Sequence, residues 1–326
     1  MRIETERFLV TGGLGFIGRH LVRALVLRGA TCVVIDRSRE IEAIRDLVAS
    51  TKVTVHHATV LSDDLAPILR DCTSVFHLAA SADVRTGEKN PREVFANNVL
   101  ATARLLDAMR DADVTRIAFA STSTVYGEPS VVPTPEDYAP LEPISLYGAS
   151  KLACEALLSA YAHSFGIEAV VFRLANVIGG RSGHGVVHDL VMKLAKDPEK
   201  LEILGSDPGT SKSYVHVDDV ILGIRAGVLA ATEPVSVYNV GTEDAVHVRG
   251  IADAIAEELG LLDVRYAWTD GAQGVRGWVG DVRTMRLSVD RLKTTGWIPT
   301  MTSERAVRTA AKELWARLPR KRTARR

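Results

Sequence analysis

Cysteine is scarce in this chain: Cys32, Cys72 and Cys154 are the only three among 326 residues. They show neither metal-binding nor redox spacing, and an odd trio makes no disulfide framework, so a reducing compartment is expected. Net charge is missing too, because 40 basic side chains balance 40 acidic ones. That excludes a general attraction to nucleic acid or to an anionic membrane, while a small basic pocket for a phosphate stays open. No apolar run is long enough to span a bilayer. The opening residues, MRIETERFLVTGG, lack the apolar core and cleavage site of a secretory signal, so a cytoplasmic soluble protein is expected. One basic run exists, 317–326, and it reads as a solvated tail.

What is present is an alternation. With 46% hydrophobic residues, the composition is ordinary for a globular chain and suits one large domain or two lobes. Short β-branched runs at 8–11, 31–36, 53–55, 75–79, 116–120 and 169–174 alternate with helical patterns at 16–28 and 40–49. Such mostly continuous apolar strands suit a parallel sheet buried on both faces, with helices as crossovers. The predicted fold is therefore α/β, a doubly wound parallel Rossmann sheet. After about residue 176 the regularity weakens into glycine-rich loops, short strands and helices near 187–196 and 248–259. The predicted division is a dinucleotide domain at 1–175, a smaller α/β substrate-binding lobe at 176–316 interleaved with it, and a tail at 317–326.

The first strand runs into VTGGLGFIGRHL, where Gly12, Gly15 and Gly18 recur every third residue before a helix that opens at Phe16 and Ile17. Gly12 and Gly13 allow a tight turn, Gly15 lets the backbone approach a pyrophosphate, and Gly18 lets the helix pack close to the strand. The helix N-terminus then offers free N–H groups to the phosphates. Asp36 ends the second strand, where a carboxylate can accept from an adenosine ribose hydroxyl. This favours NAD over NADP, although Arg37 follows directly and keeps NADP open. A glycine loop alone is weak evidence; strand, loop, helix and distal acid together are not.

Five of the twelve prolines crowd between Ser121 and Lys151. Upstream of them lies the cluster Ser121-Thr122-Ser123-Thr124, and downstream Tyr147 and Lys151 stand four apart. On a helix these two share a face. A free tyrosine, with a pKa of about 10, is a poor base at neutral pH. A nearby ammonium and an oxidised nicotinamide would lower that value, so Tyr147 could take a proton from a sugar hydroxyl. Thr122, at a strand's C-terminal end, could orient the same oxygen. A tyrosine–lysine pair alone is common on helix surfaces; the glycine loop and the hydroxyl cluster give it meaning.

Together these residues resemble the extended short-chain dehydrogenase/reductase family, in its nucleotide-sugar epimerase/dehydratase branch. The segments RLANVIGGRSGHGVV and RGWVGDVRTMRLSV are especially similar to archaeal-type UDP-glucose 4-epimerases. The resemblance implies catalytic roles for Thr122, Tyr147 and Lys151. It implies that Leu78, Ala79 and Ala80 of FHLAA lie along the cofactor, with Asn98 nearby, and that Asn176 reaches the substrate diphosphate. It also implies NAD, a transient 4-keto sugar, a UDP-hexose substrate and a homodimer built on the helices near 99–110 and 150–165. No metal is implied, and the adjacent His56 and His57 would point to opposite faces of a strand. Related dehydratases carry an Asp-Glu pair directly after the Ser/Thr, and related decarboxylases a glutamate. Here Ser123 and Thr124 stand there, which ranks dehydration and decarboxylation below epimerisation.

The pattern also departs from the family. Thr59 replaces an adenine-contacting acid, with Asp63 or Asp64 as possible substitutes. Leu204 stands where an aromatic would stack on uracil. Lys212 replaces an arginine, giving a point charge in place of a fork. Trp278 takes another arginine's place, leaving Arg276 as the expected diphosphate ligand. Met285 falls where the C2 substituent of the sugar is limited, and its ordinary reading is core packing. Ser123, Val186 and Tyr214 complete the expected substrate contacts, and Arg181 and His184 could face C6, where Arg181 would suit a uronate. The leading expectation is an NAD-dependent nucleotide-sugar 4-epimerase acting on UDP-glucose and UDP-galactose. Other nucleotide-sugar epimerases, acting on a uronate, an N-acetylhexosamine or another carbon, remain open, as do a keto-sugar reductase and a non-catalytic dinucleotide-binding regulator.

Overall fold

The structure, a computed structural model, describes residues 6–61, 64–82, 84, 89–269 and 274–318. Asp63 and residues 319–326 of the tail lie outside them. The first half contains β1 (Arg7–Thr11), α1 (Phe16–Val26), β2 (Thr31–Asp36), α2 (Arg45–Ala49), β3 (Val53–His57), α3 (Ala66–Leu69), β4 (Ser74–His77), α4 (Pro91–Phe95), α5 (Ala101–Asp111) and β5 (Arg116–Thr122). Next come α6 (Leu146–Phe165), β6 (Glu168–Leu174), β7 (Asn176–Ile178), α7 (Val186–Lys196), β8 (Lys200–Leu204), β9 (Ser211–Lys212), β10 (Tyr214–His216) and α8 (Val217–Ala230). The chain continues through β11 (Val235–Val240), β12 (Val246–His247), α9 (Val248–Glu258), β13 (Arg265–Thr269), β14 (Thr284–Met285), α10 (Asp290–Lys293) and α11 (Ser303–Arg317).

Seven strands form one sheet in the order β11-β6-β5-β4-β1-β2-β3, and each neighbouring pair is parallel. Alternation along β1 sends Phe8 and Val10 to one core and Leu9 to the other. The first core packs under α1 and α8, through Leu21, Val22, Leu25, Val220 and Ile224. The second packs under α5 and α6, through Leu105, Leu106, Met109 and Leu158. Burial on both faces explains why these strands read as apolar runs. The strand order reverses between β1 and β4, and the crevice beyond their C-terminal ends is where such sheets hold ligands.

Two expected helices are shorter than the pattern suggested. α1 stops at Val26 because the chain tightens, with Arg28 N donating to Leu25 O and Gly29 N to Val26 O, and then turns left-handed at Gly29 (φ 95°). The pattern at 40–49 breaks into a tight turn at Glu42–Ile44 and the short α2, because the fully buried Ile44 leaves helical dihedrals.

A smaller core gathers α7, α9, α11, β8 and β10 around Val191, Leu194, Leu201, Ile255 and Ala310. The chain after Asn176 does not stay in that lobe. α8 packs on α1, and β11 becomes the edge strand of the main sheet beside β6.

Candidate functional site

The glycine loop joins β1 to α1 where sequence placed it. Gly12 has a positive φ of 69°, and a Cβ there would lie 2.8 Å from the Ala79 nitrogen. A Cβ on Gly18 would strike the Gly12 carbonyl oxygen. Both glycines are thus demanded by close approach of backbone to backbone. Phe16 and Ile17 open α1, whose N-terminal end faces the crevice. Asp36 closes β2, and its carboxylate accepts from Leu14 N at 2.9 Å and from Ser38 N at 2.9 Å. Arg37 is exposed beside it.

Leu78, Ala79 and Ala80 leave the end of β4 directly opposite. A buried polar chain runs beneath them. The Thr11 hydroxyl bonds His77 Nδ1 at 2.7 Å and accepts from Ala79 N at 3.2 Å. His77 Nε2 meets the Thr102 hydroxyl at 3.0 Å, and that hydroxyl donates to Asn98 O at 2.6 Å. Thr102 must therefore accept from His77, which fixes the Nε2–H tautomer. Burial, with Lys151 nearby, pushes the His77 pKa down to about 3, so the ring stays neutral. Asn98 sits in a wide π turn before α5; its Oδ1 accepts from Ser81 N at 2.7 Å and its Nδ2 donates to Ser150 Oγ at 2.8 Å.

Thr122 ends β5, and its hydroxyl accepts from Thr124 N at 3.2 Å. Ser123 follows, buried, in a single tight turn. α6 starts alongside because Ser145 caps it, accepting from Gly148 N at 3.1 Å. Gly148 has no Cβ to strike Thr124 O, which would lie 2.7 Å away. That close approach brings Tyr147 beside Thr122. Lys151 is almost wholly buried, with its ammonium 3.9 Å from the Phe119 ring centroid. The sequence reading had Lys151 lowering the Tyr147 pKa. Among protein groups alone, burial wins: it pushes the phenol up to about 12, with Thr122 pulling the other way, and the ammonium down to about 8.

The expected substrate residues fall into two groups. Asn176 pairs in register with Tyr214, and Lys212 with Met285. Asn176 Nδ2 donates to Ser213 O at 3.0 Å. Tyr214 and Met285 are buried, and Lys212 pairs with Asp281 below Trp278. Arg276 lies on a loop whose Gly280 abuts Ile144 and Ser145 at the start of α6. Leu204, half exposed at the end of β8, lies against Gly277 of that loop. Val186 begins α7 and packs on the second lobe's core. Arg276 Nη2 donates to Glu128 at 2.8 Å, and Arg283 donates to the same carboxylate. Burial alone would raise Glu128; the two guanidiniums hold it at about 2. Both candidate anion ligands, Lys212 and Arg276, are therefore matched to carboxylates. Arg181 and His184 are exposed in the loop before α7, and the Arg181 carbonyl accepts from Arg19.

Residues 8–241 match the NAD dependent epimerase/dehydratase family. The chain belongs to that family. A putative UDP-glucose 4-epimerase of Methanocaldococcus jannaschii is 30% identical over 304 residues, covering 89% of this epimerase/dehydratase and 92% of the relative. A crystal structure of UDP-galactose 4-epimerase is 38% identical, with a TM-score of 0.82 over 96% of this chain and 99% of that one. A UDP-glucuronic acid 4-epimerase from Bacillus cereus, solved with UDP-glucuronic acid and NAD, is 27% identical, with a TM-score of 0.85 over 94% and 98%.

The epimerase/dehydratase has residues that fit NAD. Without a Cβ at Gly12 and Gly18 the turn closes against Ala79 and against its own first carbonyl, which sets the N-terminus of α1 where a pyrophosphate could meet its free N–H groups, with the Asp36 carboxylate at the ribose end. NAD, when bound, supplies a hydride acceptor that gives the hydride back.

Several residues of this region escaped the sequence reading. Glu155 and Arg173 form a buried pair at 2.8 Å, and the Ser121 hydroxyl donates to Glu155. Arg173 Nη1 also reaches the Tyr126 hydroxyl at 2.9 Å and Glu136 O at 2.9 Å. Signals for two of them existed: Glu155 extends the Tyr147–Lys151 spacing by one more turn, and Arg173 interrupts the apolar run of β6. The Glu128–Arg276 contact spans 148 positions and left no local signal.

Proposed function

We propose that the protein interconverts UDP-glucose and UDP-galactose by inverting C4 of the sugar through a transient 4-keto form. The observation that carries this reading is the assembly of Thr122, Tyr147 and Lys151 at the C-terminal edge of the sheet, with Ser123 and Thr124 where an eliminating carboxylate would otherwise follow Thr122. Tyr147 takes the proton from the C4 hydroxyl and returns it after the sugar has turned. Thr122 holds the same oxygen through a hydrogen bond. Lys151, a buried cation at neutral pH, favours the phenolate as Tyr147 gives up its proton.

In this reading Asn176, Lys212 and Arg276 hold the diphosphate, Leu204 packs on the base, and Met285 borders the C2 substituent. Ser123, Val186 and Tyr214 line the rest of the sugar-nucleotide site. The reading includes a homodimer through α5 and α6, supported by the exposed Leu100 just before α5 and Phe165 at the end of α6. Analytical ultracentrifugation showing only monomer would remove that part.

The test is to give the purified protein UDP-glucose without added cofactor and to follow the anomeric proton signals by NMR. A UDP-galactose signal that stops at a fixed ratio, reached also from UDP-galactose, is the expected result. Silence with both sugars, with NAD added as well, sinks the substrate assignment. Conversion of UDP-glucuronic acid under the same conditions would replace it with the uronate reading, which the Bacillus cereus likeness supports.

A further inference from the structure

We propose that Glu155 is a positioning residue for the catalytic trio: its carboxylate ties α6 to the strand end that carries Thr122 and keeps a fixed negative charge one helical turn beyond Lys151. The proposal rests on the roles given above to Tyr147, Lys151 and Thr122, and adds to them a group that touches neither sugar nor cofactor.

Tyr147, Lys151 and Glu155 follow one another at four-residue steps, so they line one stripe of α6. The Ser121 hydroxyl donates to Glu155 Oε1, and Ser121 is the residue immediately before Thr122 on β5. Arg173, on β6, donates to the same carboxylate through Nε at 3.2 Å and Nη2 at 2.8 Å. Glu155 and Arg173 are both buried. Three elements thus meet at one carboxylate directly behind the catalytic residues. Arg173 carries the link outward, through the Tyr126 hydroxyl and the Glu136 carbonyl, into the loop between Thr122 and α6. Tyr126 in turn donates to Asn239 at 2.8 Å, and Asn239 donates to Ser288 O at 2.9 Å.

The charge has its own consequence. Among the described residues, the titratable and charged groups around Lys151 are His77 from β4, Tyr147, Cys154 and Glu155 from its own helix, and Arg173 from β6 behind Glu155. His77 is neutral. Burial pushes the Lys151 ammonium towards losing its proton, while Cys154 and Glu155 push back. Burial also raises the Cys154 thiol, so near neutral pH it carries no charge. Glu155 is then the acidic neighbour that opposes the effect of burial on Lys151, with Arg173 paired to its far side.

The experiment uses the NAD-loaded protein with 13C at the lysine ε carbons, and Lys151→Met assigns the Lys151 signal. In Glu155→Gln the Lys151 midpoint is expected to fall by about one unit, and in Glu155→Asp to stay near the parent value because the charge is kept. Glu155→Asp and Ser121→Ala both break the tie to β5. Each is expected to lower kcat about tenfold with KM for the sugar nucleotide unchanged, since the tie sets proton-transfer geometry and not binding. An unchanged midpoint in Glu155→Gln overturns the proposal, as does an unchanged kcat in both Glu155→Asp and Ser121→Ala. Glu155→Gln leaves Arg173 facing a neutral amide; should it fail to fold, the Glu155→Asp and Ser121→Ala arms decide. A parent inactive on every sugar nucleotide would sink the proposed reaction, and the Lys151 titration would still decide whether Glu155 governs that lysine.

Discussion

The Asp36 carboxylate accepts a hydrogen bond from the Leu14 amide at 2.9 Å, so the end of β2 holds the tip of the glycine loop that leaves β1. One oxygen is spent on the loop and the other on Ser38 N, and each oxygen keeps further acceptor capacity for a ribose hydroxyl. The acid therefore shapes the glycine loop, and in the proposed reading it meets the cofactor's ribose as well.

Asp36→Asn is nearly isosteric and removes the charge, and because its amide nitrogen cannot accept, it also gives up one of the two bonds from Leu14 N and Ser38 N. NAD affinity should fall by about 10–100-fold, the equivalent of one charge-assisted hydrogen bond. NADP should lose less, because the repulsion of its 2′-phosphate goes with the charge. Titration calorimetry with both cofactors checks this; equal losses for the two would remove Asp36 from the ribose.

Tyr147→Phe should lose turnover by about 10²–10⁴-fold while NAD stays bound. The measurement pairs NMR turnover with the amount of NAD released on denaturation. Parent-like turnover would displace Tyr147 as the acid–base group.

Lys151 is lowered from an ordinary 10.5 to about 8 by burial. Between those two values the unfolded chain binds more protons than the folded one, so this residue's contribution to stability rises with pH across that window. Below pH 8 the folded protein carries a buried ammonium at a cost. Lys151→Met should thus melt higher than the parent at pH 7, with the gap narrowing as pH rises from 8 towards 10.5, while turnover is lost. Thermal denaturation across that range is the check, and a variant that melts lower at pH 7 contradicts it.

Gly18→Ala drives a methyl group into the Gly12 carbonyl, and backbone there cannot step aside. It should cost about 1–3 kcal/mol, a fall in Tm of roughly 2–10 °C, and weaken NAD binding as well. Gly183→Ala is the control, since a Cβ there meets nothing within 4 Å. Equal melting of the two variants would show that the loop yields.

Much of this was legible because it is local. The three-residue glycine spacing, the apolar strands and the four-residue Tyr147–Lys151 step each report on neighbours a turn or a strand apart. The first six strands lie where the pattern placed them, and 31–36 matches β2 residue for residue. The titration of Tyr147 was not legible, because burial is a property of everything packed around the phenol, and the Thr122 hydrogen bond offsets it only in part. Nor was the matching of Lys212 to Asp281, which joins positions 69 apart.

The sequence by itself determined the doubly wound sheet, the glycine loop and the stripe of α6 that carries Tyr147 and Lys151. Hydrophobic periodicity and backbone sterics act over a few residues and need no partner. Only the tertiary structure decided that β11 returns to the sheet beside β6, that Arg276 rests on Glu128, and that Glu155 joins α6 to β5 and β6. Those contacts form when distant segments are brought together by burial of two cores, and a buried charge then takes whichever opposite charge the packing leaves within reach.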